Sequence, residues 1–492
     1  MLFTTAQFVF VFLPLSFAVF FLLGRFSTYW AAASLFVASV VFYSVSSLPF
    51  TALLLVSIAL NFWIGGRINA ASSPSAARMW LTIGIVADML ALAYFKYAGF
   101  LASNLELAIG SELAFEAPPL PVGISFFTFT QIAYLVDTYK RHVTEYRAAH
   151  YGLFVTFFPH LVAGPVLHHA QMMPQFQDDA TYRMSSRNIA VGLLIFTLGL
   201  FKKVVIADGI SPYADASFNA AADGQSLTML EGWVGALAYT FQLYFDFSGY
   251  SDMAIGLSRI FNIQLPFNFN SPYKSLNISD FWRRWHISLS TFLRDYLYIS
   301  MGGNRHGKFR RYANLFITML LGGLWHGASW TFVFWGALHG AYLMVQHAFS
   351  ALRFERPKNV FALALGRSSA WLLTFLAVVV AWVFFRATSF DAAQEVLRSM
   401  VDGSASLEFA ANPIFWNSGL SIPRVLVACS VLMLSVVALP NSNWMGERML
   451  DFFAKRLWMA AIGIGVAAVF VTFLVVVNES RDAVSAFIYF NF

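Results

Sequence analysis

The chain has 492 residues, of which 59% are hydrophobic and only 11% charged, and its mean hydropathy is +0.64. A soluble domain carries about 25% charged residues, so this composition excludes a water-soluble protein and marks an integral membrane one. The net charge of +6 is concentrated: between Gln264 and Arg311 eight basic residues stand against two acidic ones. A single basic segment of this kind marks a cytoplasmic face, and nucleic-acid binding, which needs a basic surface extending into water, is not expected.

Apolar runs long enough to cross a bilayer recur from end to end, which leaves no room for a separate soluble domain. Residues 6–24 form the first. Nothing basic precedes it, Arg25 follows it, and no small-residue cleavage site is evident. It therefore reads as a retained span that starts outside. Further spans are expected near 29–46, 48–66, 79–99 and 120–138. The connections alternate in charge. Arg67 and Arg78 flank one loop, 101–119 carries Glu106, Glu112 and Glu116 without Lys or Arg, and Lys140, Arg141 and Arg147 come next. The 208–227 stretch is again acid-only, with Asp208, Asp215 and Asp223.

Phe157–Pro165 is too short and too proline-broken for an ordinary span, so a re-entrant or interfacial segment buried in protein is expected there. Spans near 188–207 and 228–248 follow, then an apolar segment at 250–263; spans near 369–387, 422–440 and 457–477 complete the series. The expected fold is an all-α polytopic bundle of roughly ten to twelve transmembrane helices with both termini outside. It reads as one domain over 1–492, with a catalytic core at about 120–350.

Two stretches carry the chemistry. In the first, Asp280–Ser290, a histidine sits among tryptophans and arginines. Ser279 is a candidate helix N-cap, with Asp280 in the favourable first turn. At about 100° per residue, Arg284, Ser288, Thr291 and Asp295 share one face of a single amphipathic helix, and His286 faces the apolar side with Trp282, Leu289, Leu293 and Leu297. A helix this rich in Arg and Trp suits the cytoplasmic interface. The plain alternative is a hydrogen-bonded core histidine, with Arg283 and Arg284 on lipid headgroups. Guanidinium geometry also matches the phosphate of a phosphate-bearing donor.

In the second, residues 312–349 form an almost unbroken apolar run. As one helix it would extend about 57 Å against a hydrocarbon core of about 30 Å. Arg310 and Arg311 precede it, and Arg353, Arg356 and Lys358 follow, so an even number of crossings or a dip in and out is implied. The break is expected near Gly322, Gly323, Gly327 and Ser329, which places His326 inside the membrane. An ionisable ring at that depth is functional by default. Gly336 and Gly340 repeat a small-residue spacing that lets helices approach closely; on the plain alternative the glycines only permit packing and His326 is structural.

Other candidates are weaker. His160, His168 and His169 are expected at an interface, and no metal-site spacing accompanies them. The lone Cys429 rules out an intrachain disulfide and a cysteine-built metal site. Asp246 and Asp252 are expected to cap and anchor helices, although a pair of carboxylates also keeps a proton-coupled transporter in view.

The quoted stretches resemble the membrane-bound O-acyltransferase family, in its bacterial alginate O-acetyltransferase branch. The resemblance is carried by Pro121-Val-Gly-Ile-Ser-Phe-Phe-Thr-Phe129, Phe158-Pro-His-Leu-Val-Ala-Gly-Pro165, Tyr244-Phe-Asp-Phe-Ser-Gly-Tyr-Ser-Asp-Met-Ala-Ile-Gly256, Phe281-Trp-Arg-Arg-Trp-His-Ile-Ser-Leu-Ser290, Leu293-Arg-Asp-Tyr-Leu-Tyr298, Gly302-Gly-Asn-Arg305, Leu321-Gly-Gly-Leu-Trp-His-Gly327 and Phe487-Ile-Tyr-Phe490. His160 and Met301 depart from the residues usual at their positions. The resemblance implies a helical bundle around a central tunnel, with the family's near-invariant histidine at His326 and its second at His286. It implies catalytic roles for both, with Trp282, Arg283, Arg284, Trp325 and Ser329 lining the substrate path. It further implies acyl transfer, with acetyl-CoA as the expected donor substrate and no bound cofactor or metal. The acceptor is a polysaccharide hydroxyl beyond a bacterial inner membrane, reached directly or through a periplasmic acetyltransferase-like partner. D-alanyl transfer from a carrier protein is the alternative within the family.

Overall fold

The computed structural model describes residues 1–140, 147–162, 164–352, 359–402, 412–481 and 485–488. Arg141, Ala163, Arg353, Arg356, Lys358, Tyr489 and Phe490, on which the sequence reading drew, lie outside the described residues. Every regular element among those described is a helix. Six helices, or up to seven, are long and apolar enough to cross a membrane, among them Leu48–Asn69, Val360–Arg386 and Trp458–Glu479. Other expected crossings fall on shorter helices, such as Thr28–Ser44 and Ile124–Tyr139. By its contacts the chain divides into two compact units, each assembled from separated stretches.

The first unit comprises Met1–Phe201, Tyr250–Phe267 and the stretch from Ser442 onward. Its early helices begin where serine hydroxyls satisfy backbone donors. Ser27 accepts from Trp30, Ser47 from Phe50 and Ser73 from Ala76, and Pro49 and Pro74 occupy first turns where no N–H is needed. Rings fill the interior: Phe3 and Phe8 lie 5.0 Å apart, and Phe12 and Phe158 5.3 Å. After the helix Ala148–Thr156 the chain makes one turn at Phe158–Leu161, and 164–168 form no regular element before the helix His169–Gln177. This buried irregular backbone is what the prolines and short length led us to expect. Of the three histidines expected at an interface, His168 is half-buried and the other two are enclosed by protein. His160 is buried, its Nε2 2.9 Å from the Phe154 carbonyl, and His169 packs against Tyr134 and Phe154. His160 lies on the one-turn helix and His169 opens the next helix, each beside buried rings.

The second unit comprises Lys202–Gly249 and Asn268–Asn441. A buried ion cluster ties its first stretch together: Lys203 Nζ lies 2.8 Å from Asp208 and 2.7 Å from Asp246. Asp246 and Asp252 both lie inside the helix Met229–Ile260, so neither caps a helix as expected; Asp246 anchors by charge. The apolar run 312–349 folds as two helices, Gly307–His326 and Trp330–Ala351, each about 30 Å long. The break is at Gly327–Ser329, beyond Gly322 and Gly323, and Ser329 starts the second helix by accepting from the Thr331 N–H. The glycines bring the two helices together. A Cβ on Gly323 would sit 2.3 Å from the Phe332 carbonyl oxygen, and one on Gly336 2.4 Å from that of Met319.

Candidate active site

His326 is the last residue of its helix, and only 3% of it is exposed. Aromatic rings enclose it: Trp325 at 4.9 Å, Trp335 at 5.1 Å and Phe385 at 5.1 Å between ring centroids. His286 is fully buried, 4.6 Å from Phe247, 6.1 Å from Trp325 and 6.4 Å from His326. The two histidines singled out in the sequence therefore meet, with Trp325 in contact with both.

The backbone around His286 differs from the single amphipathic helix expected. The helix Ile278–Arg284 ends, His286 takes the left-handed conformation at φ +44°, and a new helix runs over Ile287–Phe292. Tertiary hydrogen bonds produce the break. Asn270 N–H donates to the Arg284 carbonyl at 2.9 Å and Ile287 N–H to the Asn268 carbonyl at 3.0 Å. The Asn268 side-chain oxygen accepts from both the backbone and the hydroxyl of Ser288. These partners replace the i→i−4 bonds a continuous helix would have made. The N-cap is also displaced from expectation. Asn277 accepts from Asp280 N–H at 2.8 Å, while Ser279 is hydrogen-bonded to Gln346.

A cavity of about 450 Å³ opens beside these elements. Trp282, Arg283, Arg294, Arg311 and His347 line it, together with Met319 of the helix that ends at His326. Arg294 is held by its neighbour Asp295 at 2.7 Å, and Arg311 lies 3.2 Å from His347 Nδ1. Arg283 has no carboxylate partner among the described residues. Neither histidine is part of the lining; from Met319 to His326 is two helical turns, about 10 Å.

Of the other expected substrate contacts, Trp282 and Arg283 face the cavity and Trp325 packs between the histidines. Arg284 is occupied elsewhere, paired with Asp280 at 3.0 Å and donating to the Asn270 carbonyl, and Ser329 is spent on its helix cap. The sequence reading missed Trp335, His339 and Phe385. His339 could have been found, since it is another ionisable ring inside the same apolar run.

The sequence profile of the membrane-bound O-acyltransferase family matches residues 72–394. The chain belongs to that family. Among its relatives, this membrane-bound O-acyltransferase is 39% identical to the peptidoglycan O-acetyltransferase of Helicobacter pylori, covering 100% of this chain and 98% of that one. It is 45% identical to the "Probable alginate O-acetylase" of Azotobacter vinelandii over 81% of this chain and 78% of the relative. It is 30% identical to the teichoic acid D-alanyltransferase of Bacillus subtilis over 58% of this chain and 74% of the relative. Like its family, it is a multi-pass membrane protein.

For a membrane-bound O-acyltransferase the chemistry needs a group that takes the proton of an attacking hydroxyl and returns it to the leaving group. Imidazole can do both. His326 presents such an imidazole, enclosed by three rings at the end of its helix.

Proposed function

We propose that this enzyme moves an acetyl group from acetyl-CoA, on the cytosolic side of a bacterial inner membrane, to a hydroxyl of an extracytoplasmic glycan, directly or through a periplasmic partner. The observation that carries the reading is the cavity in which Arg283, Arg294 and Arg311 gather beside the helix that ends at His326. Guanidinium groups match the phosphates of a nucleotide-bearing thioester, and the basic stretch from Gln264 to Arg311 belongs to the cytosolic face. His326 is the general base for the acceptor hydroxyl. His286, one ring contact away, assists with the proton or orients the donor. The names of the relatives support the acetyl group and the glycan: peptidoglycan in one case, alginate in another.

The test is ester-linked acetate in envelope glycans, measured by mass spectrometry after deleting the gene. Acetate is expected to fall, and to return with the wild-type copy but not with His326→Ala. Unchanged acetate on deletion, or full restoration by His326→Ala, overturns the reading. Transfer in membrane vesicles from an acylated carrier protein but not from acetyl-CoA overturns the donor.

A further inference from the structure

Trp335 and His339 stand one turn apart on the helix Trp330–Ala351, 1% and 0% exposed, with ring centroids 4.9 Å apart. Trp282 donates its indole N–H to His339 Nδ1 at 3.3 Å, so the neutral imidazole carries its own proton on Nε2. Neither that Nε2–H nor the indole N–H of Trp335 has an acceptor among the described residues. A buried donor left unmade costs about 1–3 kcal/mol. Two of them on neighbouring rings one helical turn apart, on a helix whose Trp335 ring touches His326 at 5.1 Å, call for an acceptor that arrives with the substrate.

We propose that Trp335 Nε1–H and His339 Nε2–H hold the carbonyl oxygen of the donor thioester and stabilise the negative charge it gathers during acyl transfer. The assignment rests on the acyl-transfer reading above and supplies its electrophilic half. The acceptor hydroxyl oxygen bonds to the carbonyl carbon while its proton passes to His326. The carbonyl π pair moves onto oxygen, between the two donors. Collapse re-forms the carbonyl and breaks the C–S bond, and the thiolate leaves with the proton that His326 returns. Trp282 is then a positioning residue: it faces the arginine-lined cavity and fixes the tautomer that makes His339 a donor at Nε2.

The experiment uses inverted inner-membrane vesicles carrying the full-length chain, prepared so that envelope glycan and periplasmic contents are enclosed, with acetyl-CoA added outside. Trp335→Phe keeps an aromatic ring and deletes the N–H. Its kcat is expected to fall about 10²-fold, with the KM for acetyl-CoA held. His339→Gln, whose amide reaches the Nε2 position, is expected to retain more kcat than His339→Asn, whose amide stops at the Nδ1 position. Wild-type kcat in Trp335→Phe, or losses that follow KM or the amount of folded protein, overturn this assignment and leave the acetyl-transfer reading standing. Wild-type vesicles that transfer no acetyl group overturn that reading, and this assignment with it.

Discussion

The rings of His286 and His326 lie 6.4 Å apart, and Trp325 touches both. The pair is therefore one buried unit, built from a left-handed residue in one stretch and a helix terminus in the other. If His326 is the base, as proposed above, His326→Ala should lower acetyl transfer by about 10²–10⁴. The folded protein should persist, which thermal unfolding in detergent would check.

The backbone at His286 separates its chemistry from its geometry. Asn tolerates the left-handed region, so His286→Asn should fold normally while its transfer rate drops. A β-branched residue does not tolerate φ +44°, and His286→Val should be destabilised by about 1–3 kcal/mol. A difference in melting temperature between the two variants is the readout.

Neighbouring glycines should behave differently. A Cβ at Gly323 meets backbone at 2.3 Å, which the helix pair cannot yield cheaply. Gly323→Ala should cost about 1–3 kcal/mol or more and reduce the yield of folded protein. At Gly322 the nearest atom is the flexible end of Leu293 at 3.3 Å, so Gly322→Ala should fold close to wild type in the same assay.

Charge in the cavity should act on donor binding. Arg283→Gln and Arg311→Gln each remove a charged hydrogen-bond donor of about 1.5–3 kcal/mol, and the KM for acetyl-CoA should rise at least tenfold with kcat less affected. Arg284 is turned toward Asp280, and Arg284→Gln should leave that KM unchanged.

The buried cluster of Lys203, Asp208 and Asp246 is a stability element. Lys203→Met leaves two carboxylates, each under 7% exposed, without their cation. Removing one partner of a buried pair costs about 3–5 kcal/mol, which should appear as a lowered melting temperature and reduced accumulation in membranes.

Much of the candidate site was legible in the chain because burial of a charge-capable ring is so costly that its sequence context shows. His326 in an apolar, glycine-bearing run and His286 among aromatics both stand out for that reason. The same rule applied to His339 would have recovered one of the three residues missed; Trp335 and Phe385 carry no such signal. Helical periodicity failed at Arg284–His286 because the competing hydrogen bonds come from Asn268 and Asn270, and periodicity carries no information about partners outside its window. The burial of His160 and His169 was not legible, because what encloses them, the Phe154 carbonyl for one and the Tyr134 and Phe154 rings for the other, comes from packing.

Composition and short motifs were by themselves enough to determine a membrane-embedded helical protein of the O-acyltransferase family and to single out His326 and His286 as candidates. Those features report transfer energies and local spacing, which are properties of the chain alone. Only the tertiary structure decided that His286 turns left-handed, that Arg284 and Ser329 are occupied by local contacts, and that Trp335 and His339 hold unspent donors. Each depends on which atoms come within hydrogen-bonding distance across tens of residues, and such proximity exists only once the helices have packed.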